Sequence, residues 1–264
     1  MDFSREWIEI LNRVRQISDS NGGFTWFRGM SSSDYKLNSG IFRGANSYED
    51  VLKNEITYYH VFKGMGHMEH GKEDWDLLYV MQHHGVRTRL LDWSDSFAVA
   101  LFFAYSTWDQ NSDAAVWVLK PSKLNILNIG YNGLKIPGTR KESYLEYIRN
   151  TNYDTTVAIY PPKNSKRMVA QQGVFTLQGN GMVPLEEERN GQLLAKKFLE
   201  KIIIPKELAS DIKMYLKLSG MNYYTLFPDL DGLAKFVNND YTIANYENNN
   251  VLVPDIPESD EEVS

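Results

Sequence analysis

No cysteine occurs among the 264 residues. That excludes a disulfide framework, a thiolate nucleophile and a cysteine-ligated zinc site. The chain also lacks a Gly-x-Gly-x-x-Gly run, a Walker loop and a Gly-x-Ser-x-Gly elbow. The familiar dehydrogenase, nucleoside triphosphatase and serine-hydrolase patterns therefore have no anchor here. No apolar run approaches the roughly 20 residues that span a bilayer, and "AVALFFA" reads as a core element. The opening "MDFSREWIEILNRVRQ" carries charge throughout and is not patterned as a signal peptide. A soluble, cytoplasmic protein without a membrane partner is the expectation. A surplus of positive charge is missing too. With 28 basic and 34 acidic side chains the net charge is -6, which argues against a generally basic nucleic-acid surface while leaving room for a local basic cleft. Glu247, Asp255, Glu258, Asp260, Glu261 and Glu262 account for that whole deficit.

What is present suffices for a sizeable core, since 42% of the residues are hydrophobic and 13% aromatic. Phe3, Trp7, Ile10, Leu11 and Val14 form one helical stripe. "FTWFRGM" reads as a short buried strand. "SYEDVLKNEITYYHVFKGM" reads as an amphipathic helix capped by Ser47, and "DWDLLYVMQHHG" as a helix closed by Gly85. "GMGHMEHGKED" reads as a glycine-broken polar loop, and no metal site is expected from it. "AAVWVLKP", "TTVAIYPP" and "GVFTLQG" follow as strands, and a strand, a proline-started helix and a glycine stop close the pattern near residue 220. Helices cluster early and strands late without regular βαβ alternation, which points to an α+β fold. Residues 1–240 are expected to form one domain, and the acidic residues 248–264 a disordered tail.

Titratable chemistry is concentrated in "WDLLYVMQHHGVRTRLLDWSDSFAVALFFA", residues 75–104. Gln82, two adjacent histidines, two arginines and Asp92 lie there between two apolar runs, a composition suited to a pocket for an anionic ligand. Each residue also has a structural reading. Arg87 or Arg89 is a candidate partner for a buried Asp92. His83 and His84 suit the end of a helix dipole, with packing on Trp75 or Tyr79. Arg28 suits an ordinary surface ion pair, and Arg43, in "IFRG", repeats the first motif with either role open.

These segments resemble the FRG-domain family, named for an aromatic–Arg–Gly motif that here is Phe27-Arg28-Gly29. The resemblance continues through Leu37 to Arg43, "QHHGVRTRLLDWSDSFAVALFFA", "RMVAQQGVFTL" and "LFPDLDGLAKFV". A looser similarity links the same order of motifs to arginine-type ADP-ribosyltransferases. Asp92-Trp93-Ser94 stands where those enzymes carry Ser-Thr-Ser, and Gln171 and Gly173 stand where they carry the two glutamates of Glu-x-Glu.

This resemblance implies an ADP-ribosyltransferase-like split β-sheet core with N-terminal helices covering one side. It also implies NAD as substrate, no metal, and a toxin or phage-defence effector that modifies a protein or nucleic acid and has an antitoxin or another regulatory partner. Trp26, Phe27, Arg28, Gly29, Arg43, Arg89, Asp92, Trp93 and Ser94 would hold NAD. An arginine fork suits its pyrophosphate, glycine admits a ligand to the backbone, and a tryptophan stacks on a ring. The amides opening the helix after Asp95 would add a further anion site. Arg28, Asp92, Gln171, His83 and Glu55 are the catalytic candidates, Asp92 and Glu55 as substitutes for the absent glutamate. The "EEE" at 186–188 is read as a solvated loop or as a carboxylate folded back over the cleft. The alternative is a non-catalytic recognition module for a nucleotide, a nucleic acid or a phage protein.

Overall fold

Three serines punctuate the first half of the chain by accepting the free amides that open a helix. Ser4 accepts from Trp7 N at α1 (Arg5–Asp19), Ser47 from Asp50 N at α2 (Tyr48–His70), and Ser96 from Val99 N at α4 (Phe97–Ser106). The structure, a computed structural model, describes residues 2–22, 24–138, 142–150 and 153–240. The acidic segment 248–264 lies outside them. Helix α2 runs through the stretch read as a polar loop and ends at Gly71, in the left-handed conformation at φ 53°. His70 stacks on Phe62 at 5.5 Å between ring centroids, and this contact supports the last turns despite Gly64 and Gly66. Helix α3 (Asp74–His83) follows.

Among the described residues six strands form one sheet in the order β4-β5-β2-β1-β3-β6, and every pairing between them is antiparallel. They are β1 (Trp26–Met30), β2 (Leu90–Ser94), β3 (Ala114–Leu119), β4 (Val157–Ile159), β5 (Gly173–Leu177) and β6 (Leu199–Ile204). The architecture is thus α+β, although β1 and β2 lie early in the chain and not with the late strands. Five registered pairs join β1 to β3 and five join β2 to β5. Among the described residues β1 and β2 share one, Phe27 with Ser94.

That seam organises the molecule. Residues paired across a sheet point to the same side, so Phe27 and Gly29 share a face with Ser94, Asp92 and Leu90. On this face α1, α4 and α9 (Ala209–Leu218) pack over one half of the sheet with Phe27, Val116 and Ile202. Helices α2, α3 and α6 (Tyr144–Arg149) pack over the other half with Leu90, Phe175 and Leu177. The opposite face is closed by Trp26, Leu91, Trp93 and Trp117 beneath α5 (Pro121–Ile129) and α8 (Glu188–Ala195). Gly29 is required by the helix above it: a Cβ there would stand 1.8 Å from the Ala100 carbonyl oxygen of α4. The room its missing side chain leaves is filled by backbone, not by a ligand.

The second helical group is tied down by a buried ion pair. Arg89, 0% exposed, donates Nε to Glu55 Oε1 at 2.8 Å and Nη2 to Glu55 Oε2 at 2.5 Å. Its Nη1 donates to Asn180 Oδ1 at 3.0 Å, and the Tyr144 hydroxyl donates to Glu55 Oε1. Burial works to lower the Arg89 pKa, but the charge and hydrogen bonds of Glu55 outweigh it and hold the guanidinium well above its ordinary value. Two carboxylates of the "EEE" segment, Glu186 and Glu188, are likewise structural, while Glu187 is exposed and pairs with Lys36 at the surface. Glu186 accepts from Leu37 N at 3.1 Å. Glu188 accepts from Thr156 N at 3.1 Å and from Asn128 Nδ2 at 3.0 Å. Among the described residues no helix is long and apolar enough to cross a membrane.

Two stability measurements follow. Arg89→Met strands Glu55 in the core, and urea unfolding will show a loss of about 3–5 kcal/mol. For Glu188, burial outweighs its hydrogen-bond donors and pushes the carboxyl from 4.5 up to about 7. Between those values the folded protein keeps a proton that the unfolded chain has released. The contribution is therefore fully present below the lower value and is lost as pH rises through the upper one. Unfolding curves from pH 4 to 8 will show the wild type losing about 3 kcal/mol relative to Glu188→Gln.

Candidate functional site

Where the two helical groups part above the β1–β2 seam, a cavity of about 910 Å³ opens on the sheet. It is at the upper end of the roughly 300–1,000 Å³ usual for ligand sites. Arg28, Arg43, Arg87 and Arg167 line it together with His83 and His84, and Asp92 is the one carboxylate among the described lining residues. The surface is cationic within a molecule of net negative charge.

Arg28 shares the phase of Trp26 and Met30, whose side chains enter the opposite core. Its own side chain, 17% exposed, instead brings Nη1 to the Asp92 carbonyl oxygen at 2.6 Å and to Asp92 Oδ2 at 3.9 Å. Past the single β1–β2 pair, this guanidinium and not a backbone amide joins the two strands. Arg28 Nε is buried and has no partner among the described residues. Burial pulls the pKa of Arg28 down, Asp92 opposes this and Arg43 adds to it; an arginine stays charged regardless. Arg43 is held by Nε donating to Asn38 O at 3.1 Å. Arg87 packs its side chain over Gly40 and has no ion pair or side-chain hydrogen bond among the described residues.

Asp92 is 59% exposed on its side chain and accepts from Gln82 Nε2 at 2.8 Å. Its partners are thus Gln82 and Arg28; Arg89 is committed to Glu55 of α2 in the core. The Ser94 hydroxyl donates to Gln171 O at 2.8 Å and accepts from Ser96 N at 3.0 Å, so its proton is already used. The Gln171 side chain reaches the cavity wall and donates to Leu226 O at 3.1 Å. Arg167, on α7 (Lys166–Ala170), lies over the Phe227 ring at 4.4 Å and within electrostatic reach of Asp92 and Asp229. Asp229 caps α11 (Leu230–Asp240) by accepting from Gly232 N at 2.8 Å, as the turn "LFPDLDGL" suggests. The Tyr79 hydroxyl, buried in the cavity wall, has no partner among the described residues.

Of the expected site residues, the structure brings Phe27, Arg28, Gly29, Arg43, His83, Asp92, Trp93, Ser94 and Gln171 to this cavity. Glu55 and Arg89 do not line it, because each neutralises the other in the core. Trp26 is fully buried in the opposite core. The Trp93 indole is also buried, donating Nε1 to Thr176 Oγ1 at 3.0 Å, so neither ring is placed to stack on a ligand. The first turn of α4 does not line the cavity; Ser96 caps it, which removes the expected anion site. Sequence reasoning counted Gln82 among the polar residues of the 75–104 stretch without a role of its own, and gave Tyr79 and Arg167 no place in the site. The signal for Arg167 was its place in "RMVAQQGVFTL", a segment distant in sequence from every other arginine of the site.

His83 is held below its ordinary pKa first by burial, then by Arg167 and His84, with Asp229 opposing. It therefore faces the cavity as a neutral imidazole at pH 7. Following its ring resonances against pH will show the midpoint rising in Arg167→Ala and falling further in Asp229→Asn.

Residues 24–113 match the model of the FRG domain. This span supplies β1, β2, α2, α3 and α4, with every cavity residue named above except Arg167 and Gln171. No curated protein and no solved structure matches the chain.

Proposed function

We propose that the FRG domain this chain carries is the larger part of an NAD site, and that the protein transfers ADP-ribose from NAD to a protein or nucleic acid. The observation that carries this reading is the pairing of one oriented carboxylate with four arginines on a single cavity. Arg28, with Arg43 and Arg87, would hold the pyrophosphate, where guanidinium forks bind oxygens bidentately. All the described strands lie in one sheet, so the split-sheet part of the reading rests on the family resemblance alone.

Asp92 would face the ribose carbon that becomes electron-deficient as nicotinamide leaves. The carbon–nitrogen bond breaks with its electron pair going to the ring nitrogen, which becomes neutral. A nucleophile on the acceptor then bonds to the ribose carbon and gives its proton to neutral His83. Charge stabilisation by Asp92 would lower the barrier by about 3–4 kcal/mol, as such electrostatic groups do. Antitoxin pairing and a defence role remain part of this proposal.

A second reading has an observation of its own. Gln171 and Gly173 stand in the place of both glutamates, and Asp92 is already near Arg28. This favours a recognition module that binds a nucleotide without turnover.

The two readings separate by experiment. NAD at about 100 times its dissociation constant will add roughly 2.7 kcal/mol to stability, and Arg28→Ala will abolish that shift in a folded protein. On the transferase reading, Asp92→Asn keeps the NAD shift and loses nicotinamide release. A wild type that is stabilised by NAD yet releases no nicotinamide is the recognition module. Absence of any shift at millimolar NAD removes the transferase reading and favours a recognition module for another ligand.

A further inference from the structure

Asp92 is held by more than its two direct neighbours, and the direction of every hydrogen bond behind it is determined. The chain starts at Leu90 N, a backbone amide that can only donate, and donates to Thr88 Oγ1 at 3.0 Å. The Thr88 hydroxyl turns its proton to Gln82 Oε1 at 2.6 Å. An amide oxygen and nitrogen are otherwise interchangeable in position, but the ionised Asp92 carboxylate can only accept. Gln82 therefore presents Nε2 to Asp92 Oδ2 at 2.8 Å and leaves Oε1 for the Thr88 proton. Reversing the amide would set Oε1 against the carboxylate and lose the bond to Asp92.

Thr88 is itself fixed. It is buried, and its carbonyl oxygen accepts from Ile41 N at 3.1 Å, in the short helical turn Gly40–Phe42 that precedes Arg43. We propose that Gln82 is a positioning residue, its amide held by Thr88, which presents Asp92 to the cavity in one rotamer with Oδ2 occupied and Oδ1 toward the ligand. The same Thr88 couples that rotamer through its carbonyl to the backbone leading into Arg43. The effect on turnover rests on the transferase reading; the relay itself does not.

The experiment uses the full chain with Thr88→Val, which keeps shape but removes the hydroxyl, and Thr88→Ser, which restores it. Gln82 side-chain amide resonances, assigned by their loss in Gln82→Met, are followed against pH, and ADP-ribose affinity and nicotinamide release are measured in parallel. In wild type and Thr88→Ser the Gln82 resonances will move in one step as the pH is lowered, and Asp92→Asn will remove the step. Thr88→Val will blunt the step and lower the rate of nicotinamide release by about tenfold or more, with ADP-ribose affinity changed less than twofold. Gln82 resonances that ignore Asp92 overturn the relay, as does a folded Thr88→Val protein with wild-type resonances and rate. If ADP-ribose does not bind the wild type, the transferase reading fails, and the amide titration alone decides the relay. Should Thr88→Val not fold, the wild-type and Asp92→Asn titrations decide it.

Discussion

The Glu55–Arg89 pair is the constraint on which the site depends. Strand β2 enters the sheet directly after Arg89, so whatever fixes Arg89 fixes the start of the strand that carries Asp92. Glu55 comes from the middle of α2, Tyr144 from α6 and Asn180 from beyond β5, and the guanidinium or its partner carboxylate bonds to all of them. Two charges in a core are costly unless both are fully hydrogen-bonded. Here that cost enforces one arrangement of α2, α6 and β2, which in turn places α3 with Gln82 and His83 over the sheet.

Two kinds of arginine result. Arg89 has its charge neutralised inside the protein and serves the fold. Arg28, Arg43, Arg87 and Arg167 retain unused donor capacity at the cavity, where Asp92 is the one lining carboxylate among the described residues. The strands separate at the point where that contrast is sharpest. Arg28 stands in for strand pairing there, so one side chain both closes the sheet and faces the ligand space.

Much of this was legible in local pattern. The Ser47 cap, the strand around Arg28 and the helix after Asp95 follow from residue type and spacing. The association of Arg28 with Asp92 was legible only through the family resemblance. The partner of Arg89 was misread: Arg89 stands just before β2, and its partner Glu55 lies 34 residues earlier on α2. Strand alternation over Leu90–Ser94 does account for Trp93, which is buried while Asp92 is exposed. Glu55 gave no such clue, because an acid on an amphipathic helix reads as a solvated face until the opposing arginine is known. Arg167 was hidden for a different reason: it reaches the cavity by a chain reversal through β4 and β5, a separation in sequence that no local pattern encodes.

The seam between β1 and β2 has a mechanical meaning as well. Main-chain pairing is dense on either side of it and sparse along it, so the molecule consists of two stiff halves meeting at a line of weakness. Arg28 belongs to one half, and Arg167 and His83 to the other. A ligand that engages all three spans that line like a rivet, and the work of stiffening the joint is drawn from its binding free energy. Affinity at this site is therefore tied to the compliance of the sheet, and a substitution far from the cavity that adds a rung across the seam would tighten binding without touching the ligand.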